Sequence, residues 1–269
     1  MLSHHYLIII SMKCIIKNNQ EETIMNDEKN YTYTCKPEVC ELNENNVLKP
    51  YAYQLLIAKI IEEHLINKKW DFGTTSKYGL AWALTSMSIQ INEPIKGTPT
   101  LTAKTWASSQ KGPFYQRDFE FYQDNKVIFC GTSFSILLDL ENRSIYRKKE
   151  LPFGEVILCE EHTIDAKHTY KPTIDLETVT EKQVQPSYID ALGHVNNYRY
   201  TEFAYDVLTD EEIQNLEKLN RIDIYFVSEL SKKDTFEIKK AYEDNKIILQ
   251  GYNKTKDKIS FHVIFTFLS

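Results

Sequence analysis

The stretch Tyr188-Ile189-Asp190-Ala191-Leu192-Gly193-His194-Val195-Asn196-Asn197-Tyr198 decides how the rest of the chain is read. It gathers an acid, a glycine, an imidazole and two amides within a few residues. An extended, proline-containing segment precedes it, and an amphipathic run over 200–208 follows. Strand, polar loop and helix in that order put the polar groups at a helix N-terminus. Unpaired backbone N–H groups and the helix dipole favour negative charge there.

Working outward, the second half reads as a strand over 179–187, the quoted loop, a helix, and an acidic helical piece over 210–219. Strand-like runs follow over 222–229, 234–243, 246–253 and 259–268. The first half has the same plan. A short strand is expected over 31–38. Pro50 then opens a helix, at the position where proline is best tolerated. Leu55, Leu56, Ile60, Ile61 and Leu65 recur there at helical spacing. Alternating runs over 81–92, 98–109, 115–123 and 127–140 come next, with Asp124-Asn125 as a turn signal. Residues 141–178 carry no periodic element and are read as the connection between halves. The segment 93–98 aligns with 229–234 at an offset of 136 residues, which points to a duplicated unit.

A long helix wrapped by an antiparallel sheet is the layout of a hot-dog fold. The expectation is therefore an α+β chain of tandem hot-dog domains, 29–142 and 179–269, joined by a linker over 143–178. The two sheets would join, with both helices on one concave side. Residues 1–28 are expected to form a disordered N-terminal extension. Residues 1–24 read as dispensable, with Met25 as a second candidate start.

Composition narrows the function. The chain has 269 residues, 42% hydrophobic and 26% charged, enough for a sizeable packed core. Tyrosine (17) and phenylalanine (13) are plentiful and glycine (8) is scarce, which favours strands over a Gly-rich nucleotide-binding fold. No GxGxxG or GxxxxGK[ST] motif is present. Five cysteines without CxxC spacing indicate neither a disulfide framework nor a structural zinc site. No apolar run reaches ~18 residues, so no membrane span is expected. A net charge of −6 disfavours general nucleic-acid binding. Local basic clusters at Arg143, Arg147, Lys148 and Lys149, at Lys232 and Lys233, at Lys239 and Lys240, and at Lys254, Lys256 and Lys258 read first as solvated faces.

The duplication makes one half a control for the other. Before the first helix stands Asn43-Glu44-Asn45-Asn46-Val47-Leu48, with no Asp and no His. Chemistry is therefore expected in the second half. A thioester carbonyl at the loop would gain transition-state stabilisation from N–H groups as its oxygen becomes an oxyanion. Gly193 would allow close approach of the backbone. His194 can donate to the carbonyl or hold a water, and Glu229, expected at a strand end, can act as general base. Asp190 can orient His194 or the water. Each has a plainer reading: Asp190 and Gly193 as turn residues, Asn196 or Asn197 as a helix N-cap, Glu229 as a solvated carboxylate.

The string Asp190-Ala-Leu-Gly-His194-Val-Asn196-Asn197-x-x-Tyr200 resembles the hallmark of acyl-ACP thioesterases, plant and bacterial enzymes with two hot-dog units. Gly79-Leu80-Ala81-Trp82, Thr105-Trp106, Arg117-Asp118-Phe119, the helix residues Tyr53 and His64, and Lys233-Asp234 after Glu229 agree with it. The resemblance covers about residues 30–269. It implies hydrolysis of fatty acyl-ACP to free fatty acid and acyl carrier protein, terminating fatty acid synthesis in the cytoplasm, without a metal or cofactor. It implies catalytic roles for Asp190, His194 and Glu229, with Gly193, Asn196 and Asn197 shaping the loop and helix start. The family's Asn position, two before the His, holds Leu192, which cannot donate a hydrogen bond. The position beside the Glu, a Cys in some plant members, holds Leu230, so a thiol nucleophile is not supported. The acidic partner would need a local basic face, for which 147–149 and 232–233 are candidates. Two other functions fit the residues: a hot-dog acyl-CoA thioesterase, and a non-catalytic acyl-binding protein. A homodimer is compatible with all three.

Overall fold

A computed structural model describes residues 31–148, 150–190 and 193–269. The expected extension over 1–28, Lys149 and Leu192 lie outside the described residues.

Strand β1 (Tyr33–Cys35) leads to helix α1 (Pro50–Lys68). Proline at its first turn starts α1, and Lys69 in the left-handed region ends it, its N–H donating to the Leu65 and Ile66 carbonyls. A short turn of helix, α2 (Phe72–Thr75), precedes four long strands: β2 (Leu80–Ile91), β3 (Leu101–Lys111), β4 (Phe114–Gln123) and β5 (Lys126–Asp139). A two-residue strand, β6 (Ser144–Ile145), turns back on β5. The second half runs β7 (Glu177–Gln183), α3 (Asn197–Tyr205), α4 (Asp210–Gln214), β8 (Leu219–Phe226), β9 (Thr235–Glu243), β10 (Lys246–Asn253) and β11 (Lys258–Phe267).

All strands join one antiparallel sheet in the order β1-β3-β4-β5-β2-β8-β11-β10-β9-β7, with β6 on β5. The order is palindromic about the β2–β8 pair. There Ser88 faces Asp223, and its hydroxyl donates to the Asp223 carboxylate at 2.5 Å. The chain is thus α+β, an antiparallel sheet with few helices.

Helices α1 and α3 pack against one another on one face, where Thr201 donates to Gln54 at 3.0 Å and the Tyr51 and Tyr205 rings meet edge to face. The main core lies between these helices and the sheet, and includes Tyr53, Ile57, Ile60, Phe119, Phe121, Phe129, Phe203, Phe236 and Phe261. Alternation along the strands sends the other side chains to the opposite face. The connection over 150–176 covers that face. Trp106 donates to the Glu161 carbonyl at 2.8 Å, and buried Asp118 accepts from the Thr163 N–H and hydroxyl, both at 2.8 Å. Tyr170 stacks on Tyr225.

The last helix-period residues of α1, Ile61 and Leu65, are half buried: both line a cavity, and Ile61 also packs against the core. Two expectations need correction. The helix after the loop starts at Asn197 and ends at Tyr205, earlier than the apolar run suggests. Strand β8 ends at Phe226, so Glu229 stands in the following loop and not at a strand end.

Candidate active site

The loop before α3 is built almost entirely from its own main chain. Gly193 N–H donates to the Asp190 carbonyl at 3.1 Å, Asp190 N–H to the His194 carbonyl at 2.8 Å, and Val195 N–H to the Leu230 carbonyl at 3.2 Å. Asn196 N–H donates to the Tyr188 carbonyl at 2.9 Å. Gly193 sits at φ +84°, where a side chain is strained. The Asp190 carboxylate accepts from the His194 main-chain N–H at 3.3 Å. Asp190 thereby holds the His194 backbone.

The first half repeats this loop bond for bond. Asn46 N–H donates to the Asn43 carbonyl, Asn43 N–H to Val47, Leu48 N–H to Ile95 and Lys49 N–H to Glu41. The Asn43 side-chain oxygen accepts from Val47 N–H at 2.9 Å, as Asp190 does from His194. Asn46, at φ +62°, stands where Gly193 stands. Val47 bridges to Lys96 as His194 bridges to Ser231. The spacing is 147 residues through the loop (Asn43 to Asp190) and 135 beyond the second strand (Ile95 to Leu230). The fixed offset of 136 is thus one residue out after β2 and β8. The place of Glu229 is taken by Pro94, and Glu93 is not its counterpart.

One expectation about this loop fails. The N–H groups of Gly193, His194 and Asn196 donate inside the loop and that of Val195 to Leu230, so none of the four is spare for an oxyanion. The same ladder in the first half shows why: these bonds are what hold the loop together. The helix start remains. Asn196 caps α3, its side-chain oxygen accepting from Tyr198 N–H at 3.4 Å. Such a cap contributes about 1 kcal/mol. Asn197 is the first helical residue, and its N–H points along the helix dipole.

His194 and Glu229 come together. The imidazole Nε2 lies 2.8 Å from the Glu229 Oε2, with side chains 41% and 45% exposed. A pair this exposed adds at most about 1 kcal/mol to stability. Its geometry suits proton transfer better than it suits holding the fold. The other carboxylate oxygen, Oε1, lies 3.5 Å from the Arg143 guanidinium, which comes from the β5–β6 turn of the first half.

Two supports under the loop were not expected as functional residues. Tyr200, buried in α3, accepts from Leu230 N–H at 3.0 Å and so fixes the backbone next to Glu229. Burial pushes its phenol up to about 12, so it stays protonated. Tyr53 does the same for Ile95 N–H in the first half, and the paired tyrosines were the signal in the sequence. Buried Asp234 accepts from Ser231 N–H at 2.9 Å, Asn253 at 2.7 Å and Lys256 at 3.0 Å, which ties down the loop after Glu229.

A cavity of about 340 Å³ opens beside the helix start. That volume falls in the range of small-molecule sites. Asn196, Asn197 and Tyr198 border it on one side. Its apolar walls include Ile61, Leu65, Trp70, Trp82, Met87 and Val156, and the polar groups on it include Gln54 and Arg117. Nearly all of the lining comes from the first half. Among the described residues, no group of three or more His, Cys, Asp or Glu side chains is placed to hold a metal ion. No helix among them is long and apolar enough to cross a membrane.

The acyl-ACP thioesterase N-terminal domain matches residues 32–151, and the acyl-ACP thioesterase C-terminal domain matches residues 171–266. The chain belongs to the acyl-ACP thioesterase family. It hydrolyses acyl-ACP thioesters. Sequence comparison finds no match among curated proteins. The fold is similar to an acyl-ACP thioesterase from Bacteroides thetaiotaomicron, at 20% identity and TM-score 0.81, covering 91% of this chain and 99% of that one. It is also similar to the 12:0-ACP thioesterase from Umbellularia californica, at 13% identity and TM-score 0.74, covering 88% and 96%. A MaoC-like dehydratase from Phytophthora capsici shares the fold at 14% identity and TM-score 0.60, covering 90% and 97%. One fold thus carries a thioesterase and a dehydratase, so the fold alone does not fix the reaction.

Proposed function

We propose that this acyl-ACP thioesterase is a tandem hot-dog protein with units over 29–142 and 179–269, joined by a linker over 143–178. The first unit binds the acyl chain and the second carries out the hydrolysis. The palindromic strand order and the bond-for-bond repeat of the two loops support the duplication. The cavity, lined mostly by the first unit and ending at the start of α3, supports the division of labour.

Glu229 activates a water, directly or through His194. The water oxygen attacks the thioester carbon and the carbonyl π electrons move to oxygen. The tetrahedral oxyanion is held at the helix start by Asn197 N–H. Collapse re-forms the carbonyl and breaks the C–S bond. The thiolate takes a proton and leaves as the thiol of the carrier. Asp190 and Gly193 set the backbone of His194. Leu192, outside the described residues, stands at the family's Asn position, so the donor that an Asn would supply must come from the helix start.

The observation that carries this reading is the His194–Glu229 contact of 2.8 Å, with His194 two residues before Asn196 on the cavity wall. Free-fatty-acid release from acyl-ACP by His194→Ala and Glu229→Gln tests it. Each is expected to lose about 10²- to 10⁴-fold in kcat. Near-normal turnover by His194→Ala would sink the assignment. A single turnover in ¹⁸O-water adds a check, since label in the Glu229 carboxylate would replace general-base attack by an anhydride route.

The acidic carrier would dock on the basic residues flanking the site. The Arg143–Glu229 contact brings the β5–β6 turn, with Arg147 and Lys148 just beyond it, beside the loop that carries Lys232 and Lys233. Fatty acid synthesis in the cytoplasm is the setting this substrate implies.

A further inference from the structure

The second carboxylate oxygen of Glu229 has a partner that comes from the opposite half of the molecule. Arg143 lies at the tip of the β5–β6 turn, and that turn is firmly built. The Asp139 carboxylate accepts from Glu141 N–H at 3.1 Å, Asn142 N–H at 2.9 Å and the Asn142 amide at 2.9 Å. Asp139 pairs with Ser144 and Leu138 with Ile145 to close the hairpin. Asp139 is held below the usual carboxylate range, chiefly by the Asn142 N–H and amide bonds. Arg143 itself adopts φ +49°, a left-handed conformation that costs a non-glycine residue energy. A braced turn with a strained tip carries the guanidinium to 3.5 Å from Glu229 Oε1, while Oε2 faces His194.

We propose that Arg143 is a positioning residue for hydrolysis: it engages Glu229 Oε1 so that Oε2 stays aimed at His194 Nε2. The inference rests on the reading of His194 and Glu229 as the catalytic pair. With both oxygens engaged, Glu229 orients the imidazole, Nε2–H donates to it, and the imidazole Nδ1 takes the proton from the attacking water. The proton then passes from Nδ1 to the departing thiolate. The β5–β6 turn, where the first unit meets the linker, thereby contributes to the reacting centre.

The experiment compares wild type, Arg143→Gln, Arg143→Lys and Glu229→Gln on acyl-ACP and on a short acyl-pantetheine that lacks the phosphodiester. Arg143→Gln is expected to lower kcat about tenfold on both substrates, with KM within twofold. Arg143→Lys keeps the charge and should recover most of the lost kcat on both substrates. Thermal melting should be unchanged in both, since the side chain is exposed at a surface turn. A rise in KM confined to acyl-ACP would overturn the proposal, because Arg143 would then be a docking residue. Wild-type kcat in Arg143→Gln would overturn it too. If Glu229→Gln is itself fully active, the failure belongs to the catalytic pair. If Glu229→Gln is inactive while Arg143→Gln is normal, it belongs to this inference alone.

Discussion

Asp190→Asn separates charge from architecture, and the molecule contains its own control. Asn43 occupies the equivalent place in the first half, and its side-chain oxygen accepts from Asn45 N–H at 3.0 Å and Val47 N–H at 2.9 Å. An amide therefore supports this loop unaided. In Asp190→Asn the side-chain oxygen can still accept from His194 N–H, now as a neutral acceptor. A charged acceptor is worth about 1 kcal/mol more than a neutral one. For a chain of this size that corresponds to a fall in Tm of roughly 2–4 °C. Asp190→Ala removes the acceptor and should cost about 1–3 kcal/mol, as should Asn43→Ala. If the negative charge beside the imidazole matters for turnover, Asp190→Asn should lose about 10- to 100-fold in kcat, or roughly 1.4–2.7 kcal/mol of barrier. Asn43→Ala should lower Tm with little loss of kcat. The assays are thermal melting and steady-state hydrolysis of acyl-ACP on the same preparations. If Asp190→Asn keeps kcat within twofold while its Tm barely moves, Asp190 is a turn residue like Asn43 and has no electrostatic part in the reaction.

Two further outcomes follow from the cavity and from the loop after Glu229. Ala58 lines the cavity on α1 and is solvent-accessible, so Ala58→Phe should fill space without entering the core. Losing room for three methylenes costs a long chain about 2.4 kcal/mol, so the free-fatty-acid profile should move to shorter chains by some tens of fold; an unchanged profile would place the acyl chain elsewhere. Burial raises the Asp234 carboxyl, but the Ser231 N–H, Lys256 and Asn253 outweigh it and hold Asp234 below the usual carboxylate range. A depressed folded value means the stabilisation is complete above the unfolded value near 4 and is lost as pH falls through the folded one. Asp234→Asn should therefore be less stable than wild type at pH 7, with the gap closing below about pH 4 in urea titrations; a gap independent of pH would refute this.

Much of the fold was legible in the sequence because periodicity reports burial directly. The alternation in β2 to β5 and the proline at the start of α1 placed those elements to within a few residues. The elements placed less well answer to tertiary contacts. Ile61 and Leu65 follow helical spacing, yet they face a cavity, which no periodicity can distinguish from a core. The offset between halves changes from 147 to 135 chiefly because α1 has 19 residues and α3 has 9, so a single local alignment could not locate the partner of Glu229. The pairing of His194 with Glu229 was accessible through the duplication and the family motif. The Arg143 contact was not. It joins residues 86 positions apart through a turn whose direction is set by Asp139, and a surface arginine in a basic cluster gives no such signal.

The two loops show how one backbone design supports two purposes. Val47 and His194 make equivalent bridges on equivalent ladders, yet Val47 is 1% exposed and sealed in the core. Pro94 stands where Glu229 stands, so the first loop lacks both base and imidazole. A histidine at position 47 alone would be a buried polar group without a carboxylate, which is costly. Freed of chemistry, the first half presents its helix and strands to a cavity instead. That cavity ends on Asn196–Tyr198 of the other half, and Arg143 reaches Glu229 from its own turn. The proposed centre is therefore complete only when β2 and β8 pair in register, because that pairing sets the distance between the cavity of one half and the His194–Glu229 pair of the other. On the proposed reading, the duplication supplies two copies of a scaffold, and the reaction uses one loop from one copy and one cavity from the other.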